Sequence, residues 1–173
     1  MMNLITRRLC LKPISVADIK KIHELHSLPE TDEYNTLGIP KYLKETEQIV
    51  QKWLAQDDLI FKIELKEEKS FIGLVALKLG HAKYKKAEVW YKLDAKFWKN
   101  GYATEALKSV LDFGFNKLKL HRIEAGCAVE NIGSIRVLEK VGMLREGRKR
   151  KVLPLKSGWS DNFEYAILET DFK

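Results

Sequence analysis

The sequence predicts an α/β chain of the α+β type: one mixed, mostly antiparallel sheet of about seven strands, with about four helices on its faces. Three observations carry this reading. Hydrophobic periods of two and of 3.6 residues alternate along the chain in the order β-α-α-β-β-β-α-β-α-β-β. Three strand-like segments in the first half follow one another across polar connections, which makes an antiparallel meander. One strand-helix-strand step, from Glu88 through a helix to Arg122–Val129, calls for a local parallel pair. The 173 residues suit one core, and no repeat, low-complexity tract or Pro/Gly/Ser linker interrupts them. Residues 1–173 are therefore read as a single domain.

Each element has a local reason. Arg7–Lys12 is the first strand, with Leu9 and Leu11 on one face, and Pro13 follows. Ser15 with Asp18 three residues on is a variant capping box. Ile19, Ile22, His23 and Leu25 then supply a helical period. The segment His26–Pro40 holds two prolines and few apolar pairs and reads as a loop. Ile49, Val50, Trp53 and Leu54 place a second helix over Lys44–Ala55. Leu59–Leu65, Phe71–Leu79 and Glu88–Leu93 are strands, the first two joined by the polar connection Lys66–Ser70.

The period then lengthens. Ala103, Ala106, Leu107, Val110, Gly114 and Leu118 fall on one helical face. Arg122–Val129 is strand-like. Asn131 caps a short helix through Val141, and Gly142 closes it in the left-handed conformation. Leu144–Leu153 and Phe163–Glu169 are the last strands, joined by a turn region around Ser157–Gly158.

Composition narrows the function classes. Apolar residues make up 45% and charged residues 32%, an ordinary globular balance. No apolar run approaches the ~18–20 residues that span a bilayer. The segment Met1–Lys12 lacks the apolar stretch and cleavage site of a signal peptide, so a cytoplasmic protein is expected. Cys10 and Cys127 match no ligand spacing and read as reduced core residues. His23, His26, His81 and His121 form no metal constellation, and no metal is expected. The net charge of +7 favours anionic partners such as nucleic acid, acidic proteins or phosphorylated cofactors. Its densest cluster, Arg145, Arg148, Lys149, Arg150 and Lys151, has no base-stacking aromatics interleaved, which keeps the nucleic-acid reading weak.

The most informative stretch is Phe97-Trp98-Lys99-Asn100-Gly101-Tyr102-Ala103-Thr104-Glu105-Ala106. It joins a strand to a helix whose first N–H groups lack partners. The helix dipole adds partial positive charge there. Gly101 permits positive φ and close approach, Ala103 keeps the approach clear, and Lys99 adds a cation. The result suits a pyrophosphate. Neither a Walker loop nor a dinucleotide fingerprint is present, because the glycine spacings of both are missing.

This segment resembles the acetyl-CoA loop of the GNAT superfamily, Gln/Arg-x-x-Gly-x-Gly/Ala, through Gly101 and Ala103. Trp98 stands where Gln or Arg is usual, a departure common in the RimJ/RimL branch, whose loop reads much like Trp-Gly-Lys-Gly-Tyr-Ala-Thr-Glu-Ala. Asn100 is read as replacing the first glycine of that string. A second block, His121-Arg122-Ile123-Glu124-Ala125 and Val129 through Met143, is similar to the branch's Asn-x-x-Ser-x-x-Val-Leu-Glu-Lys-x-Gly-Phe block, and Glu146-Gly147 follows. Arg7-Arg8-Leu9-Cys10-Leu11 and Trp159-Ser160-Asp161 sit where the branch has similar pieces.

The resemblance implies an acetyl-CoA-dependent N-acetyltransferase with a GNAT fold, one parallel strand pair splayed apart and no covalent enzyme intermediate. Carried over, Lys99, Asn100, Gly101, Tyr102, Ala103 and Thr104 hold the pyrophosphate by their backbone. Tyr91, Lys92 and Leu93 offer the strand edge to pantetheine, and Asn131 contacts it besides capping its helix. Many members protonate the departing thiolate with a helix tyrosine. Leu138 occupies that position here, and Ser134 is the substitute acid and a thiol contact.

Glu88 is the first choice for a general base, and Asp161 orients the acceptor. Each also has an ordinary structural reading, as a strand-end charge and a turn aspartate. Glu105 reads as a first-turn charge favoured by the dipole. The implied acceptor is a primary amine, foremost the N-terminal amine of a ribosomal protein. A polyamine, antibiotic or amino acid is the alternative. The non-enzyme alternatives are a basic nucleic-acid-binding protein and a CoA-binding protein without turnover. A homodimer is compatible with the exposed sheet edges.

Overall fold

The computed structural model describes residues 2–172. Its 8-stranded sheet consists of β1 Leu4–Ile5, β2 Leu9–Pro13, β3 Leu59–Leu65, β4 Phe71–Leu79, β5 Lys86–Leu93, β6 Arg122–Ala128, β7 Leu144–Leu155 and β8 Gly158–Leu168. The spatial order is β1-β2-β3-β4-β5-β6-β8-β7. All neighbours run antiparallel except β5 and β6, the parallel pair expected from the strand-helix-strand step. The helices are α1 Ile19–His26, α2 Pro29–Asp32, α3 Leu43–Leu54, α4 Tyr102–Asp112 and α5 Ile132–Lys140.

The sequence pattern resolves β3 and β4 to the residue. It passes over β1, whose two residues pair with Cys10 and Leu11 and are too few to show a period. It also passes over α2, a single turn inside the stretch read as loop. Pro29 opens that turn with its φ already helical. Strand β8 begins earlier than expected because Trp159-Ser160-Asp161-Asn162 is polar and does not alternate. Those residues are held by backbone pairing with β7.

The sheet is covered on both faces. Helices α4 and α5 bury the larger cluster, including Leu107, Val110, Leu111 and Leu138, against Leu77, Val89 and Ile123. Each fully buried leucine or valine contributes roughly 1.5–3 kcal/mol through removal of apolar surface from water. The apolar face read for this helix is buried, but α4 stops at Asp112. A π-type turn over Phe113–Lys117 then shifts the period by one residue. Gly114 lies in that turn, and a Cβ there would meet Ile123 Cδ1 at 2.7 Å, so glycine lets the turn sit directly on β6. On the opposite face α1 and α3 bury a smaller cluster: Ile14, Ile22, Leu25, Val50, Ile60, Leu74 and Ala76. Successive residues of β5 divide between the faces. Ala87, Val89, Tyr91 and Leu93 join the α4–α5 side, whereas Trp90 packs on the α1–α3 side.

Candidate active site

The loop ahead of α4 is built to leave donors open. Asp94 Oδ1 accepts from Lys96 N (3.1 Å) and starts a 3₁₀ turn over Ala95–Phe97. Trp98 Nε1 then donates to the Leu93 carbonyl (2.9 Å), which ties the loop to the end of β5. The Asn100 amide donates back to the Trp98 carbonyl (3.0 Å). Lys99 and Gly101 both adopt left-handed backbone, with φ of 62° and 79°. The position of the branch motif's first glycine is thus Lys99 and not Asn100, which corrects the sequence alignment of the loop. A lysine there costs about 1 kcal/mol of backbone strain. Gly101 is the N-cap of α4, and among the described residues no side chain caps the first turn. The N–H groups of Tyr102, Ala103 and Thr104 therefore point at open space with the dipole behind them. Among the described residues, the one heavy atom within 4 Å of a Cβ built on Gly101, its chain neighbours aside, is Arg8 Nη2 at 3.5 Å.

Arg8 is a site residue that the sequence reading noticed only as part of a motif. Its guanidinium donates to Glu105 Oε2 (2.7 Å) and to the Asn100 carbonyl (3.0 Å). It also stacks over the Tyr102 ring at 4.5 Å. Glu105 accepts in addition from Thr6 Oγ1 (2.6 Å) and Arg8 N (2.8 Å). Burial pushes the Glu105 carboxyl upward, but these bonds and the Arg8 charge outweigh it and hold it below the usual carboxylate range. Glu105 is thus a clamp between α4 and the β1–β2 turn, more than the dipole charge it was read as.

The parallel pair is short. Lys86, Ala87 and Glu88 pair with Arg122, Ile123 and Glu124, and pairing then stops, although β5 continues to Leu93 and β6 to Ala128. Beyond Glu88 the two strands part, leaving a wedge whose β5 edge is Val89–Leu93. This is the splayed edge that the family resemblance assigned to Tyr91, Lys92 and Leu93. The Leu93 carbonyl already serves Trp98. Along β6 the wedge ends at Glu130 and Asn131. Asn131 Oδ1 accepts from Ser134 N (3.0 Å), so the expected cap is formed.

Two hydroxyls meet across the wedge: Tyr91 Oη and Ser134 Oγ lie 2.8 Å apart. Burial pushes the Tyr91 phenol well above its ordinary range, with the bond to Ser134 acting weakly the other way. Tyr91 therefore stays protonated. Cys127 of β6 lies beside the same serine, and burial raises its thiol to about 11. Leu138 is 1% exposed in the core, so the helix position that bears tyrosine in many relatives is closed here.

The two candidate carboxylates fare differently. Glu88 is exposed at the apex of the wedge, on the last paired residue of β5. Asp161 is buried and both oxygens are occupied. Oδ2 accepts from Arg148 Nε (2.7 Å), and Oδ1 accepts from Lys151 N (2.9 Å). The Lys151 N–H and the Arg148 charge hold its carboxyl below the usual range. It braces an irregular stretch of the β7–β8 ribbon, at a break in register between Lys149 and Leu153.

Beside the wedge, the segment that follows α2 and the β7–β8 ribbon border an open cavity of ≈ 280 Å³. Glu33, Tyr34, Glu130 and Trp159 line it, and Ser160 Oγ donates to Glu130 Oε2 (2.7 Å). Two residues of the basic cluster on β7 are ion-paired, Arg148 with Asp161 and Lys149 with Glu164. Among the described residues no group of three or more His, Cys, Asp or Glu side chains is arranged to hold a metal. No helix among them is long and apolar enough to cross a membrane.

Residues 8–144 match the acetyltransferase (GNAT) domain. The chain is 31% identical to the uncharacterized N-acetyltransferase YnaD of Bacillus subtilis, over 99% of each protein. Its fold superposes on the crystal structure of a GNAT-family acetyltransferase from Bacillus anthracis with a TM-score of 0.86 and 32% identity, covering 98% of this chain and 99% of that one. Spermidine N-acetyltransferase from Vibrio cholerae, in complex with CoA and spermine, shares the fold at a TM-score of 0.87 and 24% identity, covering 96% and 98%.

Proposed function

The chain belongs to the acetyltransferase (GNAT) domain family and is an N-acetyltransferase; on that premise we propose that it acetylates the amino terminus of a peptide or protein, as the RimJ/RimL branch does. One observation carries the donor half of this reading: the uncapped first turn of α4 opens beside a wedge left by strands that stop pairing at Glu88. The fit to CoA is a matter of complementarity. The turn offers aligned N–H donors, Lys99 adds positive charge, and Gly101 brings no side chain of its own to the approach.

Acetyl-CoA supplies an activated acyl group as a thioester. The chain's own residues then have three tasks. Backbone N–H groups on the free edge of β5 stabilise the oxyanion. Glu88, through a water, accepts the proton that the attacking amine must shed; an α-amine, with a pKa of ~8, is partly neutral before binding. Ser134 gives a proton to the leaving sulfur and regains one from water, while Tyr91 stays protonated and hydrogen-bonds Ser134 Oγ. The N–C bond forms as the C–S bond breaks, and no group on the protein is acylated. In this scheme Asp161 shapes the ribbon that borders the acceptor, and its carboxylate stays with Arg148 and Lys151. We place the whole chain in one domain, since a single sheet carries every element of the site.

A second reading, a small cationic amine as acceptor, is favoured by the cavity of ≈ 280 Å³ between Glu33 and Glu130, whose carboxylates and aromatic walls complement an ammonium. The test of the donor half is a thermal-melt titration with acetyl-CoA, CoA and ATP. At a hundredfold excess over Kd a ligand specific for the folded state stabilises it by about 2.7 kcal/mol. Shifts with both CoA species and little with ATP are expected. No shift with any of them overturns the assignment of the loop, and a shift with ATP alone points to a nucleotide site instead.

A further inference from the structure

The α1–α3 face of the sheet holds three buried polar atoms without hydrogen-bond partners among the described residues: His26 Nδ1, Asp32 Oδ1 and Lys92 Nζ. The residues are 1%, 7% and 9% exposed. They come from the end of α1, from α2 and from β5, and they feel one another electrostatically. The Lys92 ammonium disfavours a charge on His26, whereas the Asp32 carboxylate favours the charged form of Lys92. No ion pair joins Lys92 to Asp32 within 4.0 Å among the described residues. Burying such groups unpaired costs free energy that a fold ordinarily avoids. Trp53 lies against this group, edge to His26 at 5.9 Å and 5.4 Å from Trp90. Lys92 belongs to the stretch of β5 whose outer edge is free, next to Tyr91 and on the opposite face.

The unmet hydrogen-bond capacity has a definite shape. Lys92 has donors only, Asp32 has an acceptor only, and His26 Nδ1 serves as either according to its tautomer. A peptide group answers all of it, with a carbonyl for Lys92 and an N–H for Asp32 or His26. A polyamine has no carbonyl and brings ammonium groups toward Lys92, where like charges repel. We propose that Lys92, Asp32 and His26 form the acceptor's recognition site, and that it selects an amine followed by a peptide group. The proposal rests on the transferase reading above and deepens its peptide-terminus acceptor by naming the side chains that recognise the first peptide group. Asp32 reaches this group from α2, a one-turn helix that packs on α1.

The test compares kcat/KM for an alanine-led tripeptide amide with kcat/KM for propylamine, in wild type, Lys92→Met and Asp32→Asn. Taking the ratio within each protein cancels the different basicities of the two amines. Loss of a hydrogen bond to a charged group lowers the ratio by about 10–100-fold, chiefly through KM for the tripeptide. An unchanged ratio in both variants overturns the proposal and leaves the three groups to ordered water. So does a wild type that prefers spermidine to the tripeptide. Melting the CoA-loaded chain gives a readout independent of turnover. The tripeptide raises the melting temperature of wild type more than that of Lys92→Met. A chain that responds to CoA but not to the tripeptide overturns this proposal alone, whereas a chain that ignores CoA overturns the transferase reading.

Discussion

The two faces of the sheet are finished in opposite ways. On the α4–α5 face the site is made of backbone: open N–H groups at a helix start, a free strand edge, and two hydroxyls that already satisfy each other. On the α1–α3 face it is made of side chains, three of them buried without partners. Backbone donors can stay uncapped at the surface because water satisfies them until a ligand arrives. Buried side-chain groups have no such substitute, so they store a cost that a bound group can relieve. In the proposed scheme the donor side is ready before binding, while the acceptor side is closed and polarised.

The largest effect tests the ready face. Gly101→Asp introduces a side chain and a negative charge at the proposed phosphate site, next to Arg8 Nη2. It should abolish the CoA-dependent melting shift while the chain remains folded, since aspartate tolerates left-handed backbone. An unshifted CoA affinity, read by calorimetry, would remove this loop from the site.

The next effect sharpens the closed face. Burial lowers the Lys92 pKa from its ordinary 10.5 to about 8, against the pull of Asp32. Between these values the unfolded chain binds the extra proton. Stability from this group is thus present above pH ~10.5 and lost as pH falls through about 8. Lys92→Met should therefore raise stability at pH 7 by on the order of 2–3 kcal/mol. The gap to wild type should narrow as the pH approaches 10. Denaturant melts at both pH values decide the matter; a variant less stable than wild type at pH 7 means that Lys92 has a partner in solution.

The smallest effect concerns the hydroxyl pair. A departing thiolate is only a modest base, with a thiol pKa of ~8.5, so it needs little help. Ser134→Ala should lower kcat about tenfold, below the 10²–10⁴ of full acid–base catalysis. CoA affinity should move less than kcat. Turnover equal to wild type takes Ser134 out of the chemistry.

Much of this was legible locally. Strong alternation marked β3, and 3.6-residue spacing marked α3 and α4, because the buried residues recur at the period of the element; β4, buried on both faces, reads as a nearly continuous apolar run. The loop was legible because Gly101 and the helix start form a contiguous feature. The Asn131 cap was visible for the same reason. Lys92 carried a signal as well: a lysine between apolar neighbours in a strand buried on both faces is costly unless something answers it.

What the sequence by itself determined is therefore whatever depends on neighbours along the chain: the mixed sheet, the crossover that makes β5 and β6 parallel, and an uncapped helix behind a glycine. Only the tertiary structure decided the rest, since those features depend on residues distant in sequence. Glu105 is a clamp because Thr6 and Arg8 reach it from the β1–β2 turn. Asp161 is a brace because a ribbon bulge aims Lys151 N at it. Lys99 bears the left-handed backbone because Trp98 and Arg8 pin the loop on either side of it. Lys92 is buried along with His26 and Asp32 only when α1 and α2 lie across the sheet, and burial that closes over tens of residues leaves no periodic trace in the chain.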